Sequence, residues 1–139
     1  MISYLDSSVI MRWLLKSEGY YRDFGTWKQG ITSSLTEVEC SRTLDRLRLE
    51  GKIDDTILQK LKQQLAYLLN SIDIIEIDPT VLNLAKGPFT IVIRTLDAIH
   101  IASAMLYKDE FAVDIQILTH DERMKLLAKY LEFSVLDLG

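Results

Sequence analysis

Four acidic side chains carry the chemistry this sequence is equipped to do: Asp6, Glu39, Asp97 and Asp121. Asp6 closes a short, mostly apolar run, Met1 to Leu5, and two small hydroxyl residues, Ser7 and Ser8, follow it. A carboxylate at the carboxyl end of a central strand stands where open α/β sheets bind ligands. Glu39 falls one turn into a helix that follows a second short strand. Asp97 falls at the start of a later helix, and Asp121 just after a later strand. In a parallel sheet, strand ends and the starts of the following helices share one rim. Four unpaired carboxylates on that rim would repel, and at least one would be pushed towards its protonated form. A divalent cation removes the conflict. All-oxygen donors suit Mg²⁺ or Mn²⁺, and a chain with one cysteine and two histidines is poorly supplied for zinc. An ion of this kind binds a phosphodiester, polarises its phosphorus, lowers the pKa of a bound water and stabilises the leaving oxygen. The expected chemistry is hydrolysis of a nucleic-acid backbone, with no Ser-His-Asp arrangement needed.

The elements that must position these acids follow from periodicity. Met1 to Leu5 reads as a buried strand, and Val9 to Leu15, apolar apart from Arg12, as a helix packed on it. Tyr20 to Lys28 is aromatic-rich and is expected to form a second short helix. Gly30 to Ser33 reads as a brief strand. Ser34-Leu35-Thr36-Glu37 has the Ser-x-x-Glu form of a capping box, opening a helix from about Leu35 to Glu50. Gly51 ends it, and Ile53 to Asn70 repeats apolar residues at helical spacing, so the two helices form a hairpin. Ile72 to Ile77 alternates as a strand. Pro79 suits the first turn of a short helix that Gly87-Pro88 breaks. Phe89 to Arg94 reads as loop, and Leu96 to Tyr107 as an apolar helix. Ala98, Ala102, Ser103 and Ala104 would let that helix approach a sheet closely. Val113 to Leu118 is a strand, Asp121 to Leu131 an amphipathic helix, and Phe133 to Leu136 a last strand. Strands alternating with helices imply an α/β fold whose central parallel sheet has helices on both faces. Strand order does not follow from the pattern.

Bulk properties bound the alternatives. A chain of 139 residues suits one domain, 1–139, with a full core. Lone Cys40 excludes an internal disulfide and points to a reducing, cytoplasmic setting. No apolar run is long enough to span a bilayer, and no secretory leader is expected ahead of the first strand. A net charge of −4 argues against a passive nucleic-acid coat, but clustered acids that hold a metal ion also make a nuclease acidic.

Four stretches carry a resemblance: YLDSSV at Tyr4 to Val9, SSLTEVECSRTL at Ser33 to Leu44, TLDAIHIASA at Thr95 to Ala104, and ILTHDERM at Ile117 to Met124. Together, in this order, they resemble a PIN domain, most closely the VapC-type toxins of bacterial and archaeal toxin–antitoxin pairs. The hairpin span from Leu47 to Ser71 carries little of the family signal. The resemblance implies a three-layer α/β/α fold, Mg²⁺ or Mn²⁺, endoribonuclease activity on RNA, a homodimer and a tight VapB-type antitoxin partner. It also implies that Asp6, Glu39, Asp97 and Asp121 are the metal-binding and catalytic acids. Ser8 then matches a small polar position that helps hold the site, and Thr119 the threonine of the Thr-x-Asp element. Glu37 competes with Glu39, but the family spacing selects Glu39 and leaves Glu37 a capping role.

Each of these residues also has a plainer reading. Asp6 and Asp121 could only cap the helices that follow them, Asp97 could be a first-turn charge, and Glu39 a surface acid or the partner of Thr36. His100 is expected to be a packed side chain with one hydrogen bond rather than a ligand, and His120 a rim residue. Arg42, Arg46 and Arg48 read first as a solvated face and second as phosphate contacts. Tyr20, Tyr21, Phe24 and Trp27 are either core or a patch that receives an antitoxin helix. The competing function is a non-catalytic PIN-like module that binds RNA or protein. A response-regulator-like domain would need a strand-end lysine that is not placed here.

Overall fold

The computed structural model describes residues 1–139. Five strands and six helices follow one another as β1 (Ile2–Leu5), α1 (Ser7–Leu15), β2 (Gln29–Ser33), α2 (Ser34–Leu49), α3 (Asp55–Asn70), β3 (Asp73–Ile75), α4 (Pro79–Ala85), α5 (Thr95–Phe111), β4 (Ile115–Leu118), α6 (Glu122–Tyr130) and β5 (Ser134–Val135). All strand pairs are parallel, in the order β3-β2-β1-β4-β5. β1 is therefore the middle strand, and chain order runs away from it in both directions. The crevice beyond its carboxyl end is the switch point at which open parallel sheets bind ligands.

Alternation along β1 builds the two halves of the core. Tyr4 packs with Ile31, Ile117, Ile101 and Ala104 of α5, and Met124 and Leu127 of α6. Its neighbour Leu5 packs on the other face with Ile10 and Leu14 of α1, Cys40 of α2, and Leu65, Leu68 and Leu69 of α3. Helices thus cover both faces, giving the expected three layers. The period of two along a strand also directs the side chain of residue 6 with that of residue 4. The α2–α3 hairpin closes on Leu44, Leu58 and Leu61. Gly51, with a φ of 72°, takes the left-handed turn that ends α2, and the N–H of Lys52 reaches back to the carbonyl of Leu47. On α5, Ala98, Ala102, Ser103 and Ala104 are all buried, as their small size anticipates.

Three expectations need correction. Tyr20 to Lys28 is not a helix but a series of turns. Gly19 and Gly25 adopt left-handed φ values of 76° and 95°, and aromatic residues are indifferent helix formers. What orders the segment is stacking: Phe24 lies parallel to Trp13 at 4.3 Å and meets Trp27 edge-on at 4.8 Å. These aromatics are half-buried, so they are neither sealed core nor a bare patch. Second, the cap of α2 is Ser33, one residue earlier than expected; its side chain accepts from the N–H of Leu35. Glu37 is exposed in the first turn and closes no capping box. Third, α5 continues four residues past Tyr107, to Phe111. Phe89 to Arg94 is loop as expected. Its ambiguous alternation has a cause, because Phe89, Ile91 and Ile93 lean on the core without pairing to a strand.

Candidate active site

The middle strand delivers Asp6. The N–H of Asp6 still donates to the carbonyl of Leu118 at 3.2 Å, so the residue remains tied to β4 as the chain turns into α1. Its carboxylate is only 4% exposed and fully engaged on one side. Oδ1 accepts from the N–H of Ser8 at 2.9 Å, the hydroxyl of Ser8 at 2.5 Å, and more distantly the N–H of Val9. Oδ2 accepts from the hydroxyl of Thr119, which is completely buried. Thr119 in turn accepts from the N–H of Asp121 at 3.0 Å, and Ser8 from the N–H of His120 at 3.1 Å. Two hydroxyls thus bind the end of β1 to the turn after β4. Asp121 caps α6 through Oδ1, which accepts from the N–H of Met124 at 2.8 Å.

Glu39 arrives from the other side of the sheet. The hydroxyl of Thr32, at the end of β2, donates to the carbonyl of Leu5 at 2.6 Å and pairs with the hydroxyl of Thr36 at 2.7 Å. This buried pair fixes the first turn of α2 against the end of β1, and Glu39 lies one turn further on. Oε1 of Glu39 accepts from Nε2 of His100 at 2.5 Å. Nδ1 of His100 meets the hydroxyl of Tyr4 at 2.6 Å. His100 therefore has two partners rather than the single one expected, and one of them is a candidate site residue. Tyr4 is the participant that sequence reasoning missed. Its only signal was its place two residues before Asp6 on the same face of β1.

Asp97 stands in the first turn of α5, whose cap residue, Arg94, makes no side-chain bond. Burial, then the carboxylates of Asp121, Asp6 and Glu39, raise the pKa of Asp97, with His100 opposing them. Residues far apart in the chain are thus brought within one another's electric field. Even so, no three of the His, Cys, Asp and Glu side chains stand close enough to form a preassembled metal-ion set. The donor chemistry still fits a hard cation. Oδ2 of Asp6 retains an acceptor direction beyond Thr119, and Oε2 of Glu39, Oδ2 of Asp121 and both oxygens of Asp97 make no hydrogen bond within the chain.

The neighbouring polar residues are less engaged. Burial and the charge of Arg12 lower the pKa of His120, and its Nε2 is buried without a partner. Arg42 and Arg48 both pair with Asp45, and Arg46 with Glu50, at 2.9–3.1 Å on the surface of α2. That is the solvated-face arrangement. No helix is long and apolar enough to cross a membrane.

Comparison with known proteins agrees with this fold. The sequence profile of the PIN domain matches residues 3–130. The chain is 32% identical to Ribonuclease VapC46 of Mycobacterium tuberculosis, over 96% of this chain and 95% of that protein. It is 31% identical to Ribonuclease VapC47 of the same species, over 87% of this chain and 85% of that protein. Among solved structures, VapBC2 from Rickettsia felis, bound to a DNA fragment from its promoter, matches all of both chains with a TM-score of 0.68 at 14% identity. A toxin–antitoxin complex from Klebsiella pneumoniae matches 99% of this chain and 98% of that one, with a TM-score of 0.65 at 13% identity. At such identities the structural likeness concerns the fold alone.

Proposed function

Because the chain belongs to the PIN domain family, as a VapC-type member, we propose that it is the endoribonuclease toxin of a toxin–antitoxin pair. Its substrate is an RNA phosphodiester, and its cofactor Mg²⁺ or Mn²⁺. Asp6, Glu39, Asp97 and Asp121 would hold the cation, with Ser8 and Thr119 holding Asp6. The observation that carries this reading is the hydrogen bonding at the carboxyl end of β1: Thr119 joins the Asp6 carboxylate to the backbone of Asp121, and Thr32 with Thr36 fixes the start of α2, which bears Glu39, against Leu5.

The chain's own residues do four things in this scheme. Ser8 and Thr119 clamp Asp6 so that it presents Oδ2 in one orientation. Thr119 also fixes the backbone of Asp121 relative to Asp6. His100 restrains Glu39 from the far side of the rim. Asp97, which has no partner of its own, completes the negative pocket that rejects a bare phosphate and requires a counter-charge. A bound divalent cation would supply that charge, together with Lewis acidity at phosphorus and stabilisation of the departing oxygen.

A VapB-type antitoxin is the expected protein partner and a homodimer the expected assembly. The competing reading, a PIN-like module that binds RNA without cutting it, draws on the absence of a preassembled ligand set. One experiment separates the two. The purified chain is incubated with RNA and Mg²⁺, then with EDTA, and the Asp6→Asn variant is assayed in parallel. Cleavage that needs Mg²⁺ and Asp6 supports the nuclease; RNA binding without cleavage supports the module. Equal cleavage in all three incubations would sink the proposal.

A further inference from the structure

We infer that Tyr4, His100 and Glu39 form a positioning relay, in which His100 holds the Glu39 carboxylate at the rim and Tyr4 holds His100. This rests on the reading of Glu39 as a cation-binding residue. It adds two residues from the interior that the acidic constellation does not contain.

The three side chains form one unbroken hydrogen-bonded series. An ionised carboxylate can only accept, so Nε2 of His100 carries the hydrogen directed at Glu39. On its other side, Nδ1 of His100 meets the Tyr4 hydroxyl at 2.6 Å.

The mechanical setting favours positioning over mere packing. Tyr4 and His100 are each 1% exposed, one on the central strand and the other on the long helix α5. Their rings meet edge-on at 5.8 Å, so the imidazole is held by both packing and hydrogen bonding. Glu39 is different: its side chain is 21% exposed, and its carboxylate has no partner but His100. A partly exposed acid on α2 is thus tethered to two buried side chains of the core. Partners that orient a metal-binding group from behind commonly change metal affinity by about 10–100-fold when removed.

The test uses the full chain and titrates Mn²⁺ calorimetrically into Tyr4→Phe, His100→Phe and His100→Gln, each also made with Glu39→Gln. Mn²⁺ affinity should fall about 10–100-fold in His100→Phe and in the same direction, by less, in Tyr4→Phe. His100→Gln should recover part of the loss, because its amide N–H can still reach the carboxylate. With Glu39→Gln already present, neither Tyr4→Phe nor His100→Phe should weaken binding by more than about twofold further. In RNA cleavage the loss should appear in kcat rather than KM. Tyr4→Phe keeps the ring and the core, so it remains decisive if His100→Phe does not fold. Unchanged Mn²⁺ affinity in Tyr4→Phe and His100→Gln, with the parent chain binding Mn²⁺, overturns the relay alone. An equal loss in the Glu39→Gln background also overturns it, because the effect then bypasses Glu39. No Mn²⁺ binding by the parent chain overturns the cation site and the relay together.

Discussion

Replacing Asp97 with asparagine should stabilise the protein while disabling it. The carboxyl of Asp97 is half-buried, and its pKa is raised by burial and by three neighbouring carboxylates. An acid whose folded-state pKa lies above its unfolded value contributes stability that is complete below the unfolded pKa and is lost as pH rises through the folded one. At neutral pH the ionised group is therefore a net cost to folding, and Asp97→Asn removes it. For partly exposed charges each like-charge neighbour is worth roughly 0.2–1 kcal/mol after solvent screening. Three neighbours give about 0.6–3 kcal/mol on that scale. Against this, a first-turn acid on α5 gains roughly 0.3–1 kcal/mol from the helix dipole, which the substitution forfeits. The net expectation is about 1 kcal/mol, or a rise in Tm of about 3–5 °C for a chain of this size. Melting curves in EDTA at pH 7 and at a pH low enough to protonate Asp97 would measure it. The gain should be present at pH 7 and shrink at low pH, while RNA cleavage in Mg²⁺ is lost. A variant that melts at or below the parent temperature at pH 7, or a gain that ignores pH, would refute the electrostatic account of the rim.

Thr119→Val leaves Oδ2 of Asp6 and the N–H of Asp121 without their partner in a buried setting; urea titration should show a loss of about 1–3 kcal/mol. Gly30→Ala places a Cβ within 2.7 Å of both Ile72 Cγ2 and Trp27 Nε1. It should cost about 1–3 kcal/mol by the same titration, and an unchanged midpoint would mean that the aromatic loop yields easily. Cys40 is fully buried, and burial followed by the Glu39 and Asp6 carboxylates pushes its thiol pKa up to about 12. Its reaction with a disulfide reagent at pH 8 should be slow in the native protein and rapid once urea unfolds it.

Much of the fold was legible because its signals are local. A helix start needs only a cap and a spacing: Asp78 and Asp121 both accept from an N–H three residues on, as their sequence positions suggest. Strand order was not legible. β1 lies between β2 and β4, and the second pairing joins Ile2 to Ile115, a partner that no nearby pattern encodes. Tyr20 to Lys28 misled for a related reason. Its aromatic residues were read by composition, whereas Trp13, on a different element, decides their conformation. At the site, the acids could be picked out because each terminates or begins an element. Of the groups that hold them, Ser8 and Thr119 were indicated only by the family resemblance, and their partners by nothing local: Thr119 reaches Asp6 across 113 positions, and His100 reaches Glu39 across 61.

Capping by Asp6 and Asp121 does not compete with the cation binding proposed for them. In each residue Oδ1 accepts from the helix N-terminus and Oδ2 does not. Capping fixes the side-chain rotamer, and a fixed rotamer aims the second oxygen, so local helix chemistry pre-organises the carboxylates at no extra conformational cost. Asp97 lacks this support. No side chain caps the start of α5, and Asp97 accepts no bond from its own helix. Of the four acids it is the one held least by local structure and the one whose charge the others disturb. The rim therefore combines anchored acids, clamped by Thr119, Ser8 and His100, with one free to adjust.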